Sequence, residues 1–176
     1  MKLRKLFALA CGAAMALTLA ACGGGEDAPA MGTGEAQVPD LDPAAVTQAL
    51  LDSGAFSETL ETLELDTAYQ LYALEGYGVA REDILDGSVY LSAGATAEEA
   101  SVLVLKDADT AATVLEALQA HVDLQKESYE SYLPAEIPKL DNARLATHGN
   151  SVVLVVPADS DAADTVVDKL SDYEAQ

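Results

Sequence analysis

Two stretches of this chain, Ser101-Val-Leu-Val-Leu-Lys106 and Ser151-Val-Val-Leu-Val-Val156, put apolar side chains at consecutive positions. Successive residues of a strand point to opposite faces, so such a run needs cover on both sides. An aspartate-bearing turn and a helical pattern follow each run: Asp107-Ala-Asp-Thr-Ala-Ala-Thr-Val-Leu after the first, Pro157-Ala-Asp-Ser-Asp-Ala-Ala-Asp-Thr-Val-Val after the second. Each copy reads as a hairpin and then a helix. Two such units predict an α+β fold: a four-stranded, mainly antiparallel sheet with both repeat helices on one face. Helices between residues 43 and 75 are expected to cover the other face, with a homodimer contact as the alternative.

The elements follow from local chemistry. Pro43 suits the first position of a helix, whose apolar side is Val46, Leu50 and Leu51 and which Ser53-Gly54 ends. Asp66 can cap a short helix carrying Tyr69, Leu71 and Tyr72, before Gly76 and Gly78 break the pattern. Ser88 to Ser92 alternates like a strand, and Ala93 to Glu99 reads as a turn-forming segment. A long helix is predicted over Thr110–Leu133, where Ala111, Val114, Leu115, Leu118, Val122, Gln125, Tyr129 and Tyr132 recur at spacings of three and four. Pro134 and Pro138 close it. Ala143 to His148 is a strand, and Gly149-Asn150 suits a type II′ hairpin turn. The last helix follows Asp159 and Asp161 and carries Ala163, Val166, Val167, Leu170 and Tyr173 on one side.

Upstream of this domain the chain has another character. Met1 to Lys5 is basic, Leu6 to Leu19 is apolar, and small residues follow, as in an export signal. The apolar stretch falls short of the roughly 20 residues that span a bilayer. The run Leu19-Ala20-Ala21-Cys22 resembles the lipobox of bacterial lipoproteins. That resemblance implies cleavage before Cys22 and a diacylglyceryl group on it, with palmitate among the acyl chains. Two acyl chains suffice for stable anchoring where one does not. The expected organisation is a signal peptide at 1–21, a lipidated linker at 22–40 and one α+β domain at 41–176. A flexible linker of that length spans about 25 Å. The expected location is the outer face of the bacterial cell membrane.

Charge and cysteine content narrow the function. The chain has 30 acidic and 9 basic residues, for a net charge of -21. Such a field repels nucleic acid and anionic head groups and attracts cations. Cys11 belongs to the apolar signal, so processing leaves Cys22 alone, with no disulfide and no thiol for catalysis or metal.

The segment Gly94-Ala-Thr-Ala-Glu-Glu99, then Lys106-Asp107, Gln125 through Tyr132, Pro134, Lys139-Leu-Asp-Asn-Ala143 and Gly149-Asn150 resembles one family. It is a family of small lipoproteins, mostly of Gram-positive, gut-type bacteria, known only as a domain of unknown function. The resemblance covers roughly residues 43 to 173. It implies an outer-face location on a one-membrane cell and transfers no catalytic residue.

The candidate chemistry is sparse. Asp159-x-Asp161-x-x-Asp164 lacks the glycine and terminal glutamate of a calcium loop, and capping of the helix start is the expected role. His121 and His148 are the only histidines, and no nucleophile motif accompanies them. Thr96 to Glu99 fits a capping box, implying one helical turn inside the hairpin connection, with a ligand loop as the alternative. The long helix should outrun its strands and carry Tyr129 and Tyr132 past the sheet, toward the proline-stiffened segment that leads to Lys139; these three residues are the candidate partner surface, and the alternative is that the two rings pack on the N-terminal helices. No cofactor and no metal ligand set is expected. The functional expectation is a non-enzymatic, lipid-anchored binding or adaptor domain, held to the membrane through Cys22 and meeting an envelope protein. The alternatives are an envelope enzyme of hydrolase type using carboxylates, or a cation-binding or structural envelope protein.

Overall fold

The first described helix begins where proline fixes the backbone for it. In the computed structural model, which describes residues 38–176, α1 runs Pro43–Asp52 with Asp42 as its cap, the carboxylate accepting from Ala45 N. The expected signal peptide, Cys22 and most of the expected linker lie outside the described residues. After α1 come β1 (Leu60–Thr62), α2 (Leu65–Leu71), β2 (Ile84–Ser92), β3 (Glu99–Leu105), α3 (Ala108–Tyr132), α4 (Ile137–Asp141), β4 (Arg144–His148), β5 (Ser151–Val156) and α5 (Ser160–Val167). Asp107 and Asp159 cap α3 and α5 through Thr110 N and Ala162 N. Such caps contribute about 1 kcal/mol each.

The strands form one antiparallel sheet in the order β1-β2-β3-β5-β4. The fold is α+β as expected, but with five strands rather than four. The additional strand, β1, is a three-residue edge pairing with the end of β2, Leu60 opposite Ser92. It comes from the acidic stretch after α1, which is too short and too charged to carry an alternating signal.

The helices do not share a face. Leu103, Leu105, Val152, Leu154 and Val156 pack under Ala111, Val114, Leu118 and Val122 of α3, together with Ala68 of α2 and Leu140 of α4. On the opposite face Ala100, Val102, Val153 and Val155 meet Val46 and Leu50 of α1 and Ala163 and Val166 of α5. The expectation that both repeat helices lie on one face is therefore corrected, and α2 joins α3 rather than α1. The reason lies in the register. Val102 pairs with Val153 and Leu103 with Val152. Val102 and Val152 hold the same rank in their repeats, yet they point to opposite sides. In runs apolar on both faces, the sequence pattern carries no mark of which face is which.

Three local readings also change. Residues 93–98 form no helical turn, and Glu99 is the first residue of β3. The capping box does not form because the two glutamates turn inward instead of to a helix start. Asp66 sits in the first turn of α2 and pairs with Arg81 at 2.7 Å, while Glu64 holds the cap position.

One end of the sheet receives the chain. Asp40 Oδ1 accepts from Asn150 N at 2.6 Å in the β4–β5 turn, and Leu41 N donates to Ser151 Oγ. Residues 40–42 pair with the C-terminal segment through Ala175 N to Asp40 O and Asp42 N to Tyr173 O. Gly149 takes φ +56°, and a Cβ there would stand 2.7 Å from Pro39 O. Residues 38–42 are thus fastened beside the β4–β5 turn, next to the C-terminal end of β3.

Candidate functional site

The opposite end of the sheet carries a groove, and helix length creates it. Seven residues of β3 span about 23 Å, and the 25 residues of α3 span about 37 Å. α3 starts just beyond the end of β3 and runs back along it. Its last turns pass Glu99 and overhang the connection between β2 and β3. Between helix and connection lies a cavity of about 450 Å³. Leu71, Leu91, Leu124, Tyr129 and Tyr132 supply its apolar walls.

Its floor is a buried polar network. Glu99 is 1 % exposed and opens β3. Its Oε1 accepts from the Tyr72 hydroxyl at 2.6 Å and from Ser101 Oγ at 2.9 Å. Its Oε2 faces His121 Nε2 at 3.2 Å. The Tyr72 ring meets His121 edge-on, with centroids 5.0 Å apart. Burial, and then the Glu99 charge, push the Tyr72 hydroxyl well above the usual tyrosine range, so it stays a donor. Gln125 reaches His121 Nε2 at 2.6 Å from the next turn of α3. His121 Nε2 thus stands between the Glu99 carboxylate and the Gln125 amide.

Glu98 anchors the neighbouring wall. It accepts from Ser57 N at 2.8 Å, from the Ser57 hydroxyl, and from Lys139 Nζ at 2.8 Å. Lys139 also reaches Glu136, whose Oε2 accepts from Ala97 N at 2.9 Å. Burial alone would raise the Glu98 carboxyl, but Lys139 and Ser57 outweigh it and hold it below its ordinary range. The same ion pairs outweigh burial at Lys139 and raise its ammonium. A carboxylate so held, with its acceptor positions filled, is a weak general base. Thr96, on the rim, has a buried Oγ1 with no hydrogen-bond partner among the described residues.

The expected site residues separate. Tyr129 and Tyr132 both line the groove, their rings stacked with centroids 4.9 Å apart. Tyr132 is 60 % exposed, whereas Tyr129 packs against the core. Burial, and then Tyr132, raise the Tyr129 hydroxyl far above its ordinary value. Lys139 sits on α4 with its ammonium turned inward to Glu98 and Glu136 rather than beside the tyrosines. His121 is in the groove, whereas His148 lies at the other end of the sheet, 2.8 Å from Glu174. Asp159 caps α5 and Asp164 pairs with Arg144 at 2.6 Å. Among the described residues, no group of three or more His, Cys, Asp or Glu side chains is arranged to hold a metal ion. Sequence reasoning missed Tyr72 and Gln125 as site residues, and it held Glu98 and Glu99 only within a capping box whose alternative was a ligand loop. The available signal was the pair of adjacent glutamates leading directly into a doubly apolar strand.

Residues 73–157 match the profile of a family described as Domain of unknown function (DUF4358). The matched span runs from just after α2 through β5 and contains every groove-lining residue except Leu71. No curated protein and no solved structure matches the chain.

Proposed function

We propose that this protein is a lipid-anchored binding domain on the outer face of the bacterial membrane, and that the groove under the end of α3 is its binding site. The observation that supports this best is the placement of the groove. The chain enters beside the β4–β5 turn, and the groove opens at the other end of the sheet. The linker therefore joins the domain at the end of the sheet that does not carry the groove. Cavities of this size, with apolar walls and a few converging polar groups, are the usual form of a small-ligand site. The Leu-Ala-Ala-Cys run supports the anchor, and the family resemblance adds to it.

Cross-linking in intact envelopes tests the reading. A photoreactive residue at Leu124, in the groove, is compared with one at Leu85, equally exposed but outside its lining. A defined adduct from position 124 alone supports the groove, and identical products from both positions contradict it. In the same cells Cys22→Ser should abolish lipid labelling. Normal labelling of that variant would overturn the anchor.

A further inference from the structure

We propose that the groove takes a small organic cation: an ammonium or guanidinium group carried on an apolar or aromatic body. The inference rests on the groove being a binding site and names the class of its ligand. Charge in and behind the groove is the first ground. Glu98 and Glu99, which line it, and Glu136, which shares Lys139 with Glu98, have side chains 0 %, 1 % and 8 % exposed. Among the described residues one ammonium, Lys139, serves Glu98 and Glu136, and Glu99 has only His121, Tyr72 and Ser101. Buried carboxylates short of cations gain from any cation that reaches them.

The mouth has the same sign. Ser92 Oγ donates to Glu58, whose carboxylate lies against the backbone of Gly94 on the rim. Among the described residues no lysine or arginine lines the groove, so an anionic ligand meets no ammonium or guanidinium there. The net charge of the chain, -21, draws cations toward it and keeps anions away.

The walls define the rest of the ligand. Leu71, Leu124 and Tyr132 are 41 %, 66 % and 60 % exposed along one side, a strip that an apolar body would cover. The stacked Tyr129 and Tyr132 rings offer π-faces to a cation. Thr96 Oγ1, buried and without a partner among the described residues, can accept from an ammonium N–H.

The test uses three compounds of similar shape: phenethylammonium, 2-phenylethanol and 3-phenylpropionate. Each is titrated into the full chain in nanodiscs and followed by NMR. The ammonium should bind about tenfold tighter than the other two, the size of one charge-assisted hydrogen bond. Its shifts should centre on Leu124, Gln125 and Tyr132, and the preference should shrink with added salt. Glu99→Gln should remove most of the preference. Should that variant fail to fold, Glu58→Gln, at an exposed position, should reduce the preference without affecting folding. Equal binding of the alcohol or the carboxylate overturns the ligand class but leaves the groove as a binding site. Absence of binding by all three also overturns the ligand class, and the cross-linking from Leu124 then decides the groove separately.

Discussion

The Tyr72 hydroxyl donates to Glu99 Oε1 at 2.6 Å, joining the end of α2 to the first residue of β3 beneath the groove. Both residues are almost fully buried. Tyr72→Phe keeps the ring and its edge contact with His121 and removes only the donor. A hydrogen bond to a buried charged group contributes about 2 kcal/mol. The variant should therefore unfold in urea at a lower midpoint with an unchanged slope. A change under about 0.5 kcal/mol would mean that Glu99 does not depend on Tyr72.

Lys139 provides a second test, with a pH signature. Lys139→Met leaves Glu98 buried without its cation, which should cost about 3 kcal/mol. In the native chain the Glu98 carboxyl is held below its ordinary value of 4.5. Its contribution is fully present above that value and is lost as pH falls through the native pKa. Lys139 is raised above 10.5, so its contribution is present below that value and is lost as pH rises through the native pKa. Stability curves of wild type and variant should converge at both extremes and differ most in between. A constant gap from pH 3 to pH 8 would contradict the pairing of Lys139 with Glu98.

Tyr129 and Tyr132 should behave differently despite their stacking. Tyr132→Ser removes an exposed ring and should change stability by within about 0.5 kcal/mol. Tyr129→Ser removes a ring packed on the core and should cost about 2 kcal/mol, below the range for a fully buried aromatic. Thermal unfolding of the two single variants separates them. Equal losses would mean that the end of α3 does not overhang the sheet as described.

The residues that the sequence made legible were those with one dominant local preference. Pro43, Asp107, Asp159 and Gly149 each stand where their backbone or capping chemistry puts them. The overhang of α3 followed from its apolar period and the shortness of β3. The faces of the sheet were not legible, because Val102 and Val152 belong to runs apolar on both sides and only the pairing register assigns them. The polar floor was hidden for a related reason. Glu98 and Glu99 look like a capping box in the chain, and their burial depends on Tyr72, His121 and Lys139, which lie 22 to 41 residues away in sequence.

The central claim is that the groove is a binding site, and filling it tests that claim directly. Ser128 is exposed on α3 and lines the groove, so Ser128→Trp blocks the opening without disturbing the core. Native mass spectrometry of the protein isolated from its own membrane compares the two forms. The wild type should carry a small molecule of discrete mass that the Ser128→Trp variant lacks, with both forms equally stable. The same adduct on both forms, or on neither, would contradict the claim.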